Sequence, residues 1–232
     1  MRCLPLFMLA AAAVAGPASA ASFGVSDFDR IRIDGPFKVT LKTGVAPFAS
    51  ATGSPAATDR VSIDVEGRTL VVHSNASSWG GYPGKDPGPV EIAIGTHDLM
   101  QAWLNGSGSL TIDKVSGLAF ALSVQGAGSV TIAKADIDQL QVGVSGGGSA
   151  TLGGRAGKLK TILRGDSQLD GSELATKDAD IAADGPSTVS LRVTNAASVQ
   201  AAGVSSITLT GDPACTARLS GSASLTGCRT VQ

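Results

Sequence analysis

The chain has 232 residues, and its 18 Lys and Arg against 19 Asp and Glu give a formal net charge of −1. Such a balance argues against a nucleic-acid partner, because a protein of that kind needs a basic surface. The 30 glycines disfavour long helices, and an aromatic content of 4% leaves few rings that could stack against sugars.

Residues 1–20 have the pattern of a secretory signal. Arg2 supplies the positive charge, an apolar run follows from residue 4 to residue 14, and the end of the segment fits a small-x-small cleavage site. The apolar run is too short to span a bilayer as a helix. We therefore expect residues 1–20 to be removed and residues 21–232 to be exported as a single β-helix domain without a membrane span.

The next stretch, residues 28–94, is predicted to be an irregular lead-in of strands and a long loop. Ile31, Ile33, Val39 and Leu41 alternate with polar residues on either side of a glycine, which is the pattern of half-buried strands. The same pattern returns in the repeat that follows. We interpret these residues as an opening coil.

A hairpin and the long loop complete the lead-in. Gly67 lies between two apolar runs and marks the hairpin turn. The segment from residue 74 to residue 89 is rich in Gly and Pro and carries Trp79 and Tyr82. Long loops in compact domains are often functional, so these two rings are candidates for ligand contact.

From Trp103 to Thr226 a short unit recurs seven times, and a glycine marks each copy. The marker glycines, which are 18 to 20 residues apart, are Gly106, Gly126, Gly146, Gly165, Gly185, Gly203 and Gly221. In most copies apolar residues stand four and six positions after the marker, as Leu110 and Ile112 do. This alternation is typical of a strand, and a fixed period near 20 residues is typical of a stacked solenoid.

Each copy offers two short strands that bend around a glycine-rich corner. One copy cannot bury its own apolar face, so the copies must stack and share one core. Parallel crossover connections are nearly always right-handed. The prediction is an all-β, right-handed parallel β-helix with regular coils of about 18–20 residues over residues 102–228.

Cys215 and Cys228 bracket the last coil. In an exported protein an even pair of cysteines indicates a disulfide. The terminal coil of a solenoid has one uncovered face and needs a cap. We expect the two cysteines to form that cap.

No catalytic, cofactor-binding or metal site is predicted. His73 and His97 are the only histidines, and neither has a second ligand at a metal-binding spacing. Serines recur after the marker glycines, and their repetition indicates a structural role rather than a nucleophile. We expect this column to form a hydrogen-bonded ladder; its members are Ser109, Ser129, Ser149, Ser206 and Ser224.

The alternative is a carbohydrate-active β-helix enzyme of the polysaccharide lyase or hydrolase type. Such sites combine carboxylates with Arg or Lys on an exposed face. Arg164 and Asp184 lie one coil apart in the same column and could touch, although such a pair is more often a surface salt bridge. Aromatic residues are absent from the later coils, so a carbohydrate site would have to use Trp79, Tyr82 or Trp103.

Three features of the chain carry a resemblance to a known family. They are the recurring Gly-x-Gly-Ser-Val/Leu-Thr-Ile unit, the lead-in Phe28-Asp-Arg-Ile-Arg-Ile-Asp-Gly-Pro-Phe, and the ending Leu209-Thr-Gly-Asp-Pro-Ala-Cys. Together they resemble the putative autotransporter adhesin, head GIN domain family, over nearly the whole chain after the signal. The resemblance implies a right-handed β-helix that bacteria export, and it brings no catalytic residues to carry over.

We therefore expect a non-catalytic module of the cell envelope with a binding, adhesin-like or scaffold role. Its location would be the periplasm, the extracellular medium or the cell surface, and its partner an envelope or host glycan or a protein. The carbohydrate-active enzyme stands as the first alternative. A structural element that assembles end to end is another, and a disulfide cap would oppose stacking at that end.

Overall fold

The computed structural model describes residues 19–75 and 88–229. The chain is nearly all-β, with 73% of it in strands and 2% in helix, and it forms a solenoid of about six turns. The predicted all-β solenoid is confirmed. Of the seven marked units in the sequence, the last contributes only the three-residue strand Ser224–Thr226. Most of the predicted signal, together with Trp79 and Tyr82, lies outside the described residues.

Eight elements form the lead-in before the regular coils. They are β1 (Ser19–Phe23), β2 (Arg30–Asp34), β3 (Lys38–Thr43), β4 (Phe48–Gly53), α1 (Pro55–Thr58), β5 (Val61–Glu66), β6 (Thr69–Ser74) and β7 (Glu91–Thr96). The coils follow as β8 (Gln101–Gly106), β9 (Ser109–Gly126), β10 (Ser129–Gly146), β11 (Ser149–Arg164), β12 (Gln168–Asp184), β13 (Thr188–Ala202), β14 (Ser206–Thr210), β15 (Ala214–Leu219) and β16 (Ser224–Thr226).

The long strands β9 to β13 bend around the solenoid axis, and each supplies a whole coil. In β9 three groups of side chains point into the core: Leu110 with Ile112, then Val115, and then Phe120 with Leu122 and Val124. Each coil therefore has three sides rather than the two that were predicted. The short middle side was missed because it has only one or two buried apolar residues per coil, such as Val115 in β9 and Ala135 with Ile137 in β10, which are too few for a clear alternation.

The coils stack in parallel, with one constant offset between β9 and β10 and with local register shifts between the later coils. Leu110 of β9 pairs with Val130 of β10, and the marker glycines of the two coils also pair. At Gly146 φ is +98°, and a Cβ atom would stand 2.8 Å from the carbonyl oxygen of Gly126 in the preceding coil. The glycine column is therefore required by a left-handed backbone and by the close approach of successive corners.

The lead-in closes the first end of the solenoid. The predicted opening coil is confirmed, because β2 pairs in parallel with β8 and β3 with β9. The predicted hairpin is also confirmed: β5 and β6 are antiparallel around Gly67, which has φ +63°. Beyond the opening coil, β6 extends one side in parallel, while β7, β4 and β1 extend another.

The other end carries the predicted disulfide. Cys215 and Cys228 are bonded with a Cα–Cα distance of 5.7 Å. Cys215 belongs to β15, which pairs with β13, and Cys228 follows β16, which pairs with β14. The bond therefore joins two sides of the final coil, where the core has no further coil to cover it.

The serine column forms a ladder through its main chain and not through its hydroxyl groups. Ser129 N donates to Gly108 O and Ser149 N donates to Gly128 O, each at 3.0 Å. Among the described residues no hydroxyl of this column donates to another, so the predicted side-chain ladder was wrong. The hydroxyl groups stay on the outside of the coils, and the close-packed corners supply the main-chain acceptors.

Candidate functional site

One outer side of the solenoid is built from the strand segments that precede the marker glycines. These are β2, β8, the last parts of β9 to β13, and β15. Because side chains alternate along a strand, Ala102 and Leu104 enter the core while Gln101, Trp103 and Asn105 point outward. We call the outward surface of these strands the axial face, since its residues repeat along the solenoid axis.

The register of the strands aligns three rows of side chains on the axial face. The middle row consists of Arg32, Trp103, Ser123, Gly143, Ile162, Ala182, Gln200 and Arg218. The first flanking row consists of Arg30, Gln101, Ala121, Gln141, Lys160, Asp180, Ser198 and Thr216. The second consists of Asp34, Asn105, Gln125, Ser145, Arg164, Asp184 and Ala202.

Four shallow grooves follow one another along this face. Their volumes are about 370 Å³ beside Trp103, 220 Å³ over Gly143, 250 Å³ over Ala182 and 380 Å³ beside Arg164. A larger cavity of about 580 Å³ lies elsewhere, between β1 and α1. Half of its lining is Ala, Thr and Val, and the rest is Phe23, Asp59, Arg60 and Asn75, so it has no tryptophan and does not continue along the solenoid axis.

The groove beside Trp103 combines an indole ring with fixed polar groups. Arg32 Nε lies 3.0 Å from Asp34 Oδ2, and Arg32 Nη2 lies 4.0 Å from Glu66 Oε2. Asn105 Nδ2 donates to Asp34 Oδ1 at 2.6 Å. This network holds a guanidinium and an amide in place at the wall of the groove, while Trp103 is only half-buried.

Of the residues predicted to contact a ligand, the structure describes Trp103 alone. Sequence reasoning missed Arg32, Glu66 and Asn105, which line the same groove. Alternation along residues 101–106 does mark Asn105 as outward-facing. The same alternation could not predict the position of Arg32, because Arg32 is 71 residues before Trp103 in the sequence and reaches the groove only through the pairing of β2 with β8.

Arg164 and Asp184 are neighbours in the register of β11 and β12, as their shared column implied. Their charged groups form no ion pair in the part of the chain that the structure describes, so the expected contact is absent. Both line the groove of about 380 Å³ together with Arg218. Lys158 and Asp180, by contrast, do form an ion pair, with Nζ 3.0 Å from Oδ2.

Hydrogen bonds are the main cause of the resolved pKa shifts of carboxyl groups among the described residues. The pKa of the Asp136 carboxyl is lowered, chiefly by the hydrogen bond from Arg155, whose two nitrogens lie 2.7 Å and 3.0 Å from it. The pKa of Glu91 is lowered in the same way by Lys38. A glycosidase acid needs a raised pKa, whereas each resolved carboxyl shift in the described chain is downward.

The two histidines each face one carboxylate. His73 Nε2 lies 3.1 Å from Asp64 Oδ2, and His97 Nδ1 lies 3.1 Å from Asp27 Oδ1. Within residues 19–75 and 88–229, no three His, Cys, Asp or Glu side chains stand close enough together to hold a metal ion. The helical part of those same residues offers no stretch of a length and apolarity that could cross a membrane.

Solved structures share this fold at low sequence identity. One is described as a putative adhesin from Bacteroides fragilis NCTC 9343, with a TM-score of 0.79 and 17% identity over 93% of this chain and 98% of its own. Another, a putative lipid binding protein from Parabacteroides distasonis ATCC 8503, has a TM-score of 0.72 and 19% identity over 90% of this chain and 96% of its own.

A third structure, a putative adhesin from Parabacteroides merdae ATCC 43184, has a TM-score of 0.68 and 14% identity over 90% of this chain and 95% of its own. No curated protein matches the sequence. Residues 27–213 do match a family, and this span covers most of the solenoid. The chain belongs to the family described as putative auto-transporter adhesin, head GIN domain.

Proposed function

We propose that this chain is an exported, non-catalytic β-solenoid that binds a ligand on the axial face as an adhesin-like module. The observation that carries the proposal is the groove beside Trp103. A half-buried indole lies there next to a guanidinium that is ion-paired with Asp34 and an amide that donates to the same carboxylate. An apolar ring with a few converging polar groups is the usual composition of a small-ligand site.

The chemistry of this groove favours a glycan. Indole rings stack on the apolar faces of sugars, and amide, guanidinium and carboxylate groups match sugar hydroxyls as donors and acceptors. One structural neighbour is described as lipid binding. A lipid tail needs an enclosed apolar cavity, whereas the solenoid interior at this level is filled by Leu104, Leu122 and Val124, which are at most 3% exposed.

Export is part of the same proposal. After removal of residues 1–20, the mature domain would run from Ala21 to residue 232. Ala21 pairs with Ala51, and Phe23 pairs with Ala49, so β1 would keep three of its residues against β4. The mature domain would then act in the periplasm, in the medium or at the cell surface.

Trp79 and Tyr82 belong to the proposal as further contacts. The segment that carries them follows β6 in the sequence, and β6 pairs with β2, which carries Arg32. Substitution of Trp79 and Tyr82 by alanine should lower the affinity for the same ligand that Trp103 binds.

The test is a binding screen of purified residues 21–232 on arrays of bacterial envelope and host glycans, with cleavage assayed on every hit. We expect saturable binding without cleavage, and Trp103→Ala should weaken it at least about tenfold, which corresponds to about 1.4 kcal/mol. Phe48→Ala is the matched control, because Phe48 is an aromatic side chain that is 40% exposed on β4, away from the axial face.

Three results would contradict the proposal. Binding that survives Trp103→Ala unchanged would place the ligand elsewhere. Turnover of a bound glycan would establish an enzyme and direct attention to Arg164 and Asp184. A blank glycan array together with capture of a protein would replace the glycan by a protein partner. Trp103→Phe keeps a ring and checks that any loss reflects the site and not the fold.

A further inference from the structure

We propose that the axial face binds one extended glycan chain laid parallel to the solenoid axis, from Trp103 to Arg218. This inference rests on the proposed function and names the shape of its ligand. The two residues stand six strand spacings apart in the middle row. At about 4.8 Å for each spacing, the face is about 29 Å long, which is far more than one or two sugar units occupy.

The profile of the face is that of a trough with a low floor. Between Trp103 and Gln200 the middle row carries the small residues Ser123, Gly143 and Ala182. A Cβ atom at Gly143 would meet only Leu122 O, at 3.9 Å, so the space above the floor is open. Ile162 is the one large side chain in this stretch, and at 39% exposure it offers an apolar contact to a sugar ring.

Longer polar side chains form the two banks. Gln101, Gln141 and Lys160 stand in one flanking row, and Asn105, Gln125 and Arg164 stand in the other, while Gln200 closes the middle row. Within the described residues the amide groups of Gln101, Gln125, Gln141 and Gln200 have no hydrogen-bond partner. Arg164, Asp184 and Arg218 likewise form no ion pair there. These groups are therefore available to sugar hydroxyls at intervals along the trough, with shorter side chains such as Ala121 and Ser145 between them.

The period of the solenoid favours a linear polymer. Parallel in-register coils repeat the same strand position about every 4.8 Å, which is close to the length of one pyranose unit in an extended glycan. Successive sugar units could therefore meet successive coils in similar positions. The strand segments after the marker glycines carry mostly short Ser and Thr side chains outward, such as Ser129 and Thr131, and these cannot form comparable banks.

The experiment measures affinity against ligand length. The probes are size ladders of two to eight units of β-1,4-glucan, β-1,4-linked N-acetylglucosamine and β-1,4-linked mannuronate, together with the ladders of any array hit. For the ladder that binds, we expect affinity to rise at least about tenfold from two to six units and then to level off, because added units find new contacts only until the trough is full.

A substitution that fills the floor of the trough tests the extended ligand separately from the proposed function. Gly143 has no left-handed φ and faces open space, so Gly143→Leu should fold normally while its side chain fills the floor. We expect this variant to bind the two-unit ligand as the unchanged protein does and to lose the length-dependent gain. Gly147→Leu, at an open corner position off the axial face, is the matched control and should keep that gain.

The outcomes are distinguishable. Trp103-dependent binding that does not change with length, or that Gly143→Leu leaves unaffected, would overturn the extended ligand and keep the binding module. Absence of Trp103-dependent binding to every ladder and array glycan would overturn both. Loss of affinity for long ligands in Arg164→Ala and Arg218→Ala, with short ligands unaffected, would place the far end of the chain at the last groove.

Discussion

Gly146 and Gly147 are adjacent in sequence, yet substitution by alanine should affect them in opposite directions. Gly146 has φ +98°, and a Cβ atom there would lie 2.8 Å from Gly126 O and 3.3 Å from Gly126 N and Cα. Gly147 has an ordinary φ, and nothing lies within 4 Å of the position its Cβ would take. The pair therefore separates the effect of corner geometry from that of glycine content.

The magnitude follows from two contributions at Gly146. A non-glycine residue with a left-handed backbone costs about 1–3 kcal/mol, and forcing an atom into a filled contact costs about 1–3 kcal/mol more. We expect Gly146→Ala to lower the free energy of unfolding by about 2–6 kcal/mol. At Gly147 the strain is absent, and alanine should raise it by about 0.4–1 kcal/mol because it restricts the unfolded chain.

Thermal unfolding followed by circular dichroism would measure both variants. One kcal/mol shifts the Tm of a chain of this size by about 2–4 °C, so Gly146→Ala should lower Tm by at least about 4 °C and Gly147→Ala should raise it slightly. Equal Tm values for the two variants would show that close stacking of the corners does not require glycine at the marker positions. Hydrogen exchange should show the loss at Gly146 concentrated in the two coils that meet there.

Two further predictions concern the cap and the core. Cys215→Ser removes a bond that closes a loop of 13 residues, and the chain-entropy estimate gives a loss of about 3 kcal/mol in the free energy of unfolding. Protection from hydrogen exchange should fall first in residues 201–228, and unchanged protection there would contradict a capping role. Phe120→Ala should lower the free energy of unfolding in urea by about 3–5 kcal/mol because Phe120 is only 1% exposed. Leu118→Ala is its control and should change stability by less than about 0.5 kcal/mol, since Leu118 is 78% exposed; equal losses would show that burial is not what stabilises this coil.

Much of the fold could be predicted because the sequence repeats, so that the residue pattern of one coil also gives the place of the next coil beside it. Leu110 and Ile112 alternate with polar residues, so their inward direction follows from the strand alone. The fixed spacing of the marker glycines then supplies the neighbour of each strand, one coil away. The disulfide follows from two cysteines around one coil.

The lead-in and the site could not be predicted in the same way. The alternation of apolar and polar residues predicts which side of a strand is buried, but it does not predict which strand lies beside it. For example, nothing in the sequence indicates that β4 lies between β1 and β7 in the sheet. Loop closure costs little more for a long connection than for a short one, so sequence distance does not select the partner. For the same reason Arg32 could not be placed beside Trp103.

The register between β9 and β10 has a consequence for how this molecule can vary in length. The residue pairs from Ser109 with Ser129 to Gly126 with Gly146 keep one offset, without a bulge. Duplication of one such unit in the gene would insert a complete coil that satisfies its neighbours on both sides, because each coil of a solenoid contacts only the adjacent ones. Such a change would lengthen the axial face by one strand spacing of about 4.8 Å and leave both ends intact. The number of coils would then set the length of the axial face, and selection could change that length by one coil at a time.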